Sequence, residues 1–482
     1  MLSMPASLYA QVVARGAFAP GDSDLEQCTR TFERFLMQSG EDHPYTLDAC
    51  EDLAIAYSDA GDISTAVALL QWTLSGWLRI FGEDYPKTLS CRSNLAIAYT
   101  KAGDLGRAIP LFQQALDGRL RVLGEDHPDT VATAGVLAQS YYAVGDLGRA
   151  IPLFQQALDG RLRVLGEDHP DTLTSRSILA ESYQAAGDLE RAIPLFHRAF
   201  DELLRVLGED HPDTLTARNN LAESYLAAGD LGRAIPLFQQ NLDDRVRVLG
   251  QDHPYTLLSR SLLAESYLAA GNPGQAIPLY QRTLDGRLRV LGEDHPRTLI
   301  SLKNLAVAYA LAGDRGQAIP LYERALEGRL RVLGEDHPDT RASRDDLAVA
   351  YVSAGEPGRA IPLFQQILDD TRRVLAEDDP DTLISRSNLA LVYYAAGDPE
   401  QAIPLFQQIL DDTRRVLGED HPDTLASRDN LARAYESAGD MQQAIALYQR
   451  ALDERLRLLG EDHPDTLASR DNLARAYESA GD

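Results

Sequence analysis

The chain of 482 residues is poor in cysteine, in lysine and in long apolar runs, and each shortage narrows what it does. Cysteine occurs only at Cys28, Cys50 and Cys91. An odd number confined to the first fifth of the chain is no disulfide framework, so a reducing, cytoplasmic setting is expected. Lysine occurs only at Lys87, Lys101 and Lys303, and 73 acidic residues against 46 Lys plus Arg leave a formal net charge of -27. Such a surface repels phosphate backbones and anionic lipids, so neither nucleic acid nor membrane is an expected partner. No apolar stretch reaches the roughly 18 residues of a membrane span, and Pro5, Gln11 and Arg15 interrupt the first twenty residues, so no secretion signal is expected either. A glycine-rich phosphate loop, Cys-x-x-Cys, His-Glu-x-x-His and Gly-x-Ser-x-Gly are all missing. The expectation is a non-enzymatic protein with no catalytic residue, cofactor or metal.

What the chain has instead is a period. Gly-Glu-Asp-His-Pro returns every 42 residues, starting at Gly40, Gly124, Gly166, Gly208, Gly292, Gly334, Gly418 and Gly460, with variants in register at Gly82, Gly250 and Ala376. A fixed period of this size marks a supersecondary unit that buries its apolar face only by stacking on copies of itself. One array therefore replaces the several globular domains that length alone suggests.

Residues 171–212 show the unit. Leu173, Leu179, Ala180 and Tyr183 fall on the stripe of an amphipathic helix, here helix A. Gly187 ends it, and Asp188 caps a helix B whose apolar set is Leu189, Ala192, Ile193, Leu195, Phe196, Ala199, Leu203, Leu204 and Leu207. Nine of the ten histidines, from His43 to His463, occupy the pentapeptide loop, where Tyr85 and Asp379 take the same slot. They read as structural punctuation. The tenth, His197, reads as a surface residue of helix B. Eight prolines, among them Pro110, Pro152, Pro194, Pro236 and Pro404, sit near the sixth position of helix B, and a bend is expected there. Six of the eight have glycine four residues earlier, as at Gly106 and Gly148, which reads as room for the proline ring.

The pattern Leu221-Ala222, Tyr225, Gly229, Ala234, Phe238 and Pro254 resembles the tetratricopeptide repeat. With a unit of 42 residues, and with His-Pro-Asp-Thr-Leu followed by Asn-Leu-Ala within 421–432, it looks most like the kinesin light chain subclass, in a bacterial setting. The resemblance implies an all-α fold, a right-handed α-solenoid superhelix of tandem helix-turn-helix repeats whose concave wall, lined by helix A, grips a protein or peptide. Similar bacterial proteins include stand-alone arrays and the sensor arms of STAND-type signalling ATPases. The expected organisation is a degenerate capping pair over residues 1–39, ten repeats over 40–464, and a half repeat with helix A alone over 465–482.

Positions that recur in every unit serve the scaffold, whereas those that break the pattern in adjacent units are candidates for a site. Arg92, Arg176, Arg218, Arg260, Arg344, Arg386, Arg428 and Arg470 share one helix A position and are expected to pair with the acidic loops between repeats. Two residues after the invariant leucine, Gln139, Glu181, Glu223 and Glu265 stand where other copies have Ile, Val, Leu or Arg. In the repeat frame this position faces the groove together with Ser177, Asn219 and Ser261, four residues earlier, while Asn220 and Tyr142 add amide and aromatic groups. Glu181, Glu223 and Glu265 form a ladder of acids at helix spacing, suited to an Arg- or Lys-bearing segment. The alternative is solvated glutamates copied with a duplicated block, and 425–440 is indeed identical to 467–482. Val307, Val349 and Leu391 read as helix packing, with a hydrophobic section of groove as the alternative, and Arg433 and Arg475 as paired with Glu436 and Glu478.

The sequence thus points to a scaffold that binds a protein or peptide, with a basic segment favoured, around repeats 3–6. Two alternatives accompany this reading: a ligand-sensing, autoinhibitory arm of a signalling ATPase, and a self-assembling solenoid that associates through its C-terminal half repeat.

Overall fold

A computed structural model describes residues 23–377 and 379–481; the expected capping pair falls partly outside them. Twenty-two α-helices and no strand occur among the described residues. The chain divides into two compact units, 1–244 and 245–482. In the first, α1 (Ser23–Ser39) precedes A and B helices in alternation: α2 (Pro44–Asp59), α3 (Ile63–Phe81), α4 (Pro86–Lys101), α5 (Leu105–Leu123), α6 (Pro128–Ala143), α7 (Leu147–Leu165), α8 (Pro170–Ala185), α9 (Leu189–Leu207) and α10 (Pro212–Ala227). The division falls within α11 (Leu231–Leu249), after which the second unit alternates likewise from Pro254–Ala269 to Pro464–Ala480. Within each unit the helices pack mainly on the next in sequence, the local contact pattern of an α-solenoid.

The helix boundaries follow from the loop chemistry. Proline fills the first turn of every helix A from α2 onward, where its missing N–H leaves no bond unmade. The residue before it is the N-cap, and in nine repeats that is the loop histidine: His169 Nδ1, for example, accepts the N–H of Asp171 at 3.2 Å. Asp379 does the same with its carboxylate, to the N–H of Asp381 at 3.0 Å, whereas Tyr85 makes no side-chain cap. The histidines are punctuation with a mechanism. Asp188 caps helix B through the N–H of Arg191 at 3.1 Å, and Gly187, at φ 76°, makes the reversal between the helices.

The core of the specimen repeat is narrower than its apolar pattern suggests. Leu173, Leu179, Ala180 and Tyr183 of α8 and Ala192, Phe196, Ala199 and Leu203 of α9 are buried, but Leu204 and Leu207 are exposed. Helix B has 19 residues against 16 in helix A, about 5 Å more of helix.

The glycines four residues before proline do not make room for it. Helix B continues through each proline, and a Cβ built at Gly106 would meet only the Asp104 carboxylate at 3.6 Å. Glu190 and Glu400 hold the same position before Pro194 and Pro404. A different glycine stands close against a neighbouring side chain. A Cβ on Gly118 would stand 2.4 Å from Leu89 Cδ2, and one on Gly160 2.5 Å from Val131 Cγ2, because helix B there lies directly against helix A.

In other repeats that same position is acidic, and the acid meets the helix A arginine. Arg176 pairs with Glu202, Arg218 with Asp244, Arg344 with Asp370, Arg386 with Asp412 and Arg428 with Glu454. The expectation of partners in the loops holds in part: in these five repeats a partner lies on helix B of the same repeat, while Arg428 also meets the loop carboxylate of Glu419 at 2.8 Å and Arg260 reaches the loop carbonyl of Gln251 at 3.5 Å. The arginines lie on the helix A face that meets helix B, so the nearest acid is across that interface. The sequence-based pairs of Arg433 with Glu436 and Arg475 with Glu478 do not form; Glu436 instead accepts the Tyr448 hydroxyl at 3.0 Å, and Arg475 turns to Asn472.

Candidate functional site

Two neighbouring clefts open on the face made by the A helices of the first unit. Consecutive A helices form the walls, and the intervening helix B closes the bottom. The first cleft, about 210 Å³, lies between α6 and α8; Ala132, Gly135 and Gln139 come from α6, Phe154 and Arg161 from α7, and Thr174 and Ser175 from α8. The second, about 240 Å³, lies between α8 and α10, with Ser177 and Glu181 on one wall and Thr216 and Asn220 on the other. Leu203, Val206 and Leu207 of α9 supply its apolar side. Thr174 lines both clefts, so they adjoin across α8.

Of the residues singled out from sequence, Gln139 enters the first cleft, and Ser177, Glu181 and Asn220 meet in the second. Asn220 Nδ2 donates to Glu181 Oε1 at 3.1 Å, linking one helix A to the next. Glu181 is exposed at the cleft, yet partial desolvation by the cleft walls raises its carboxyl above the usual glutamate range. A partly desolvated acid with one amide contact is well placed to accept a cation. Ser177 is half-buried and its hydroxyl returns to Leu173 O at 3.3 Å.

Asn219 requires a correction. It is 5 % exposed; its side chain donates to Glu223 and accepts from Asn241 Nδ2 at 3.3 Å. One residue along a helix is a turn of about 100°, so Asn219 faces helix B while Asn220 faces the cleft. Tyr142 is exposed and packs edge-on against Phe154, ring centroids 6.5 Å apart. Ser261 is half-buried and Glu265 exposed in the second unit. The serines that follow the acidic position are buried and bond their own helix, as Ser182 does to Ile178 O at 2.8 Å. Val349 and Leu391, expected to pack, are exposed, whereas Val307 packs against the core.

Sequence reasoning missed the apolar side of the second cleft and the cation of the first. Val206 recurs in register as Val122, Val164, Val248, Val290 and Val332, each at least 40 % exposed. Its signal was a valine repeated beside the buried stripe. Arg161 gave no signal, being one of several arginines at its position. His197 lies 2.8 Å from Asp201, both more than half exposed.

The fold and the clefts define an α-helical repeat protein with a side-chain-lined face along its A helices. Models of the tetratricopeptide repeat match residues 147–201, 171–245, 219–288, 261–330, 316–373, 357–412, 381–453 and 437–482, and also 46–86 and 88–129. The chain belongs to the tetratricopeptide repeat family. It is similar to a solved Podosopora anserina putative kinesin light chain of nearly identical TPR-like repeats, at 30 % identity over 43 % of this chain and 98 % of that one, TM-score 0.39. It is similar also to BtubC (BKLC) from P. vanneervenii, at 20 % identity, 49 % and 95 % coverage and TM-score 0.41, and to the apo form of RapI, at 12 %, 77 % and 98 %, TM-score 0.48. No curated protein matches the chain. Among the described residues no helix is long and apolar enough to cross a membrane.

Proposed function

We propose that this protein is a non-catalytic scaffold that holds an extended, basic segment of a partner protein across α8 and α10. A protein-interaction scaffold is the role that membership of the repeat family supports. The observation that carries the finer reading is the second cleft, where an exposed Glu181, held by Asn220, stands beside the apolar side chains Leu203, Val206 and Leu207. An Arg or Lys side chain has this character itself, an apolar stem with a charged tip. The net charge of -27 adds long-range attraction for a basic partner and speeds encounter at low salt. Three free thiols fit a reducing, cytoplasmic setting.

The test is binding of short extended peptides that carry one arginine among apolar residues, with glutamine in its place as control. The protein is expected to favour the arginine peptide, and Glu181→Gln to weaken it about tenfold, the worth of one charged hydrogen bond. The salt dependence should flatten in the same variant. Unchanged affinity of Glu181→Gln at low salt would overturn the reading.

A further inference from the structure

Nine loop histidines cap helix A, and the cap dictates which ring nitrogen is free of hydrogen. Each Nδ1 accepts the backbone N–H two residues on, at 3.1–3.3 Å. An accepting Nδ1 carries no hydrogen, so the capping ring is neutral with its proton on Nε2. A second proton would make Nδ1 a donor facing another donor and would set a cation at the positive end of the helix. Cap and imidazolium therefore exclude each other.

What a second proton meets differs between the loops. In six of them the residue two on is an aspartate: Asp129, Asp171, Asp213, Asp339, Asp423 and Asp465 each hold Oδ2 3.6–4.0 Å from Nδ1. An imidazolium there has a carboxylate to turn to. His43 and His253 have a tyrosine ring instead, with centroids 5.2 and 5.5 Å apart, and an aromatic face attracts a cation. His295 has Arg297 at that position and no ion-pair partner among the described residues.

The acids around His295 are already engaged. Glu293 and Asp294 of its own loop pair with Arg324 and Arg331 of the helix Arg315–Leu333, at 3.2 and 2.7 Å. From the helix Pro273–Leu291, Arg287 holds the Arg297 carbonyl at 3.0 Å, and Arg289 pairs with Asp252 at 2.6 Å. The charges of Asp285 and Glu327 act on Arg289 and Arg331.

We propose that His295 is a proton-sensitive latch, whose protonation opens the first turn of the helix Pro296–Leu311 while the six turns backed by aspartate stay closed. The open turn takes up a proton that the capped turn refuses, so the open form gains as pH falls through the range in which imidazole charges, about pH 8 to 5. The N–H groups of Thr298 and Leu299 bond the His295 carbonyl, and both side chains are buried, Leu299 against Gly328 of the following helix B. Opening this turn therefore loosens the packing of one repeat and leaves the caps of the other repeats in place.

The experiment is amide hydrogen exchange of the full chain at about pH 7.5 and about pH 5.5, read as protection factors so that the intrinsic pH dependence of exchange cancels. At the lower pH the Arg297, Thr298 and Leu299 amides should lose about tenfold in protection, the worth of a lost cap, while those of Asp171, Thr172 and Leu173 should change by less than about threefold. His295→Asp, which installs the cap that Asp379 provides in another repeat, should abolish the loss. Arg297→Asp keeps the histidine, supplies the missing carboxylate and should abolish it too. No loss at Arg297, Thr298 and Leu299, an equal loss behind His169, or a loss that survives in either variant overturns the latch.

Discussion

Glu51 on α2 has a carboxyl group raised from its usual 4.5 to about 7, and replacing it tests the electrostatics of the first repeats. The side chain is 7 % exposed, and this desolvation is the main cause; Asp48 and Asp52 on the same helix add repulsion. Opposing them, Asn94 Nδ2 on α4 donates to Glu51 Oε1 at 2.7 Å, and Lys87, 2.7 Å from Asp48, attracts the charge. The folded chain holds the Glu51 proton over a pH range in which the unfolded chain has lost it. Stability therefore falls as pH rises from about 4.5 to about 7, and the penalty is complete above that window. The gap between the two values corresponds to a ceiling of about 3 kcal/mol at about 1.4 kcal/mol per pH unit. Glu51→Gln removes the charge, and its carbonyl can still accept the Asn94 N–H, so at pH 8 it should stabilise α2 and α4 by about 1–3 kcal/mol. Near pH 4 the variant and the wild type should coincide within about 0.5 kcal/mol. Amide hydrogen exchange resolved to α2 and α4 is the suitable assay, because repeat arrays open locally and do not unfold as one unit. A variant no more stable than wild type at pH 8, or equally altered at pH 4 and pH 8, would refute the reasoning.

The other expectations concern the recurring elements. His211→Ala should cost about 1 kcal/mol at the first turn of α10, whereas His211→Asp should be nearly neutral, because Asp379 already performs the same capping in another repeat; equal loss in both, read by exchange of the Asp213 and Thr214 amides, contradicts the capping role. Gly118→Ala should cost about 1–3 kcal/mol against the Leu89 side chain, while Gly106→Ala should be neutral or stabilising by up to about 1 kcal/mol. Comparing the two urea midpoints checks this directly, and similar midpoints would mean that helix A and helix B do not approach as closely as Gly118 and Leu89 do here.

The period, the alternation of helices and their ends were legible because each depends on residues close in sequence. The stripe through Leu173, Leu179 and Tyr183, the proline at each helix A start and the glycine at each turn act over one or two helical turns, and a 42-residue repeat states them many times over. The capping histidines were legible as loop residues, but their role needed the direction of one ring nitrogen. The candidate site was only partly legible. Position in the repeat frame put Ser177 and Glu181 on one helix face, and they line one cleft with Asn220, but the frame gave no ground for separating buried Asn219 from its neighbour.

Tertiary structure decided what depends on residues 26 to 43 apart: that Arg218 meets Asp244 across its own repeat, that Asn220 reaches Glu181, and that Glu51 lies under Asn94. It also decided that Leu207 is exposed at the cleft while Leu203 is buried, since the apolar pattern of helix B does not say how closely each neighbouring helix approaches. Arg161 shows the limit most plainly. Its own sequence context, Asp-Gly-Arg-Leu-Arg-Val-Leu, is repeated at Arg119 and Arg287. Only packing places it in a cleft with Gln139 of α6 and Thr174 of α8, residues more than ten positions away on either side.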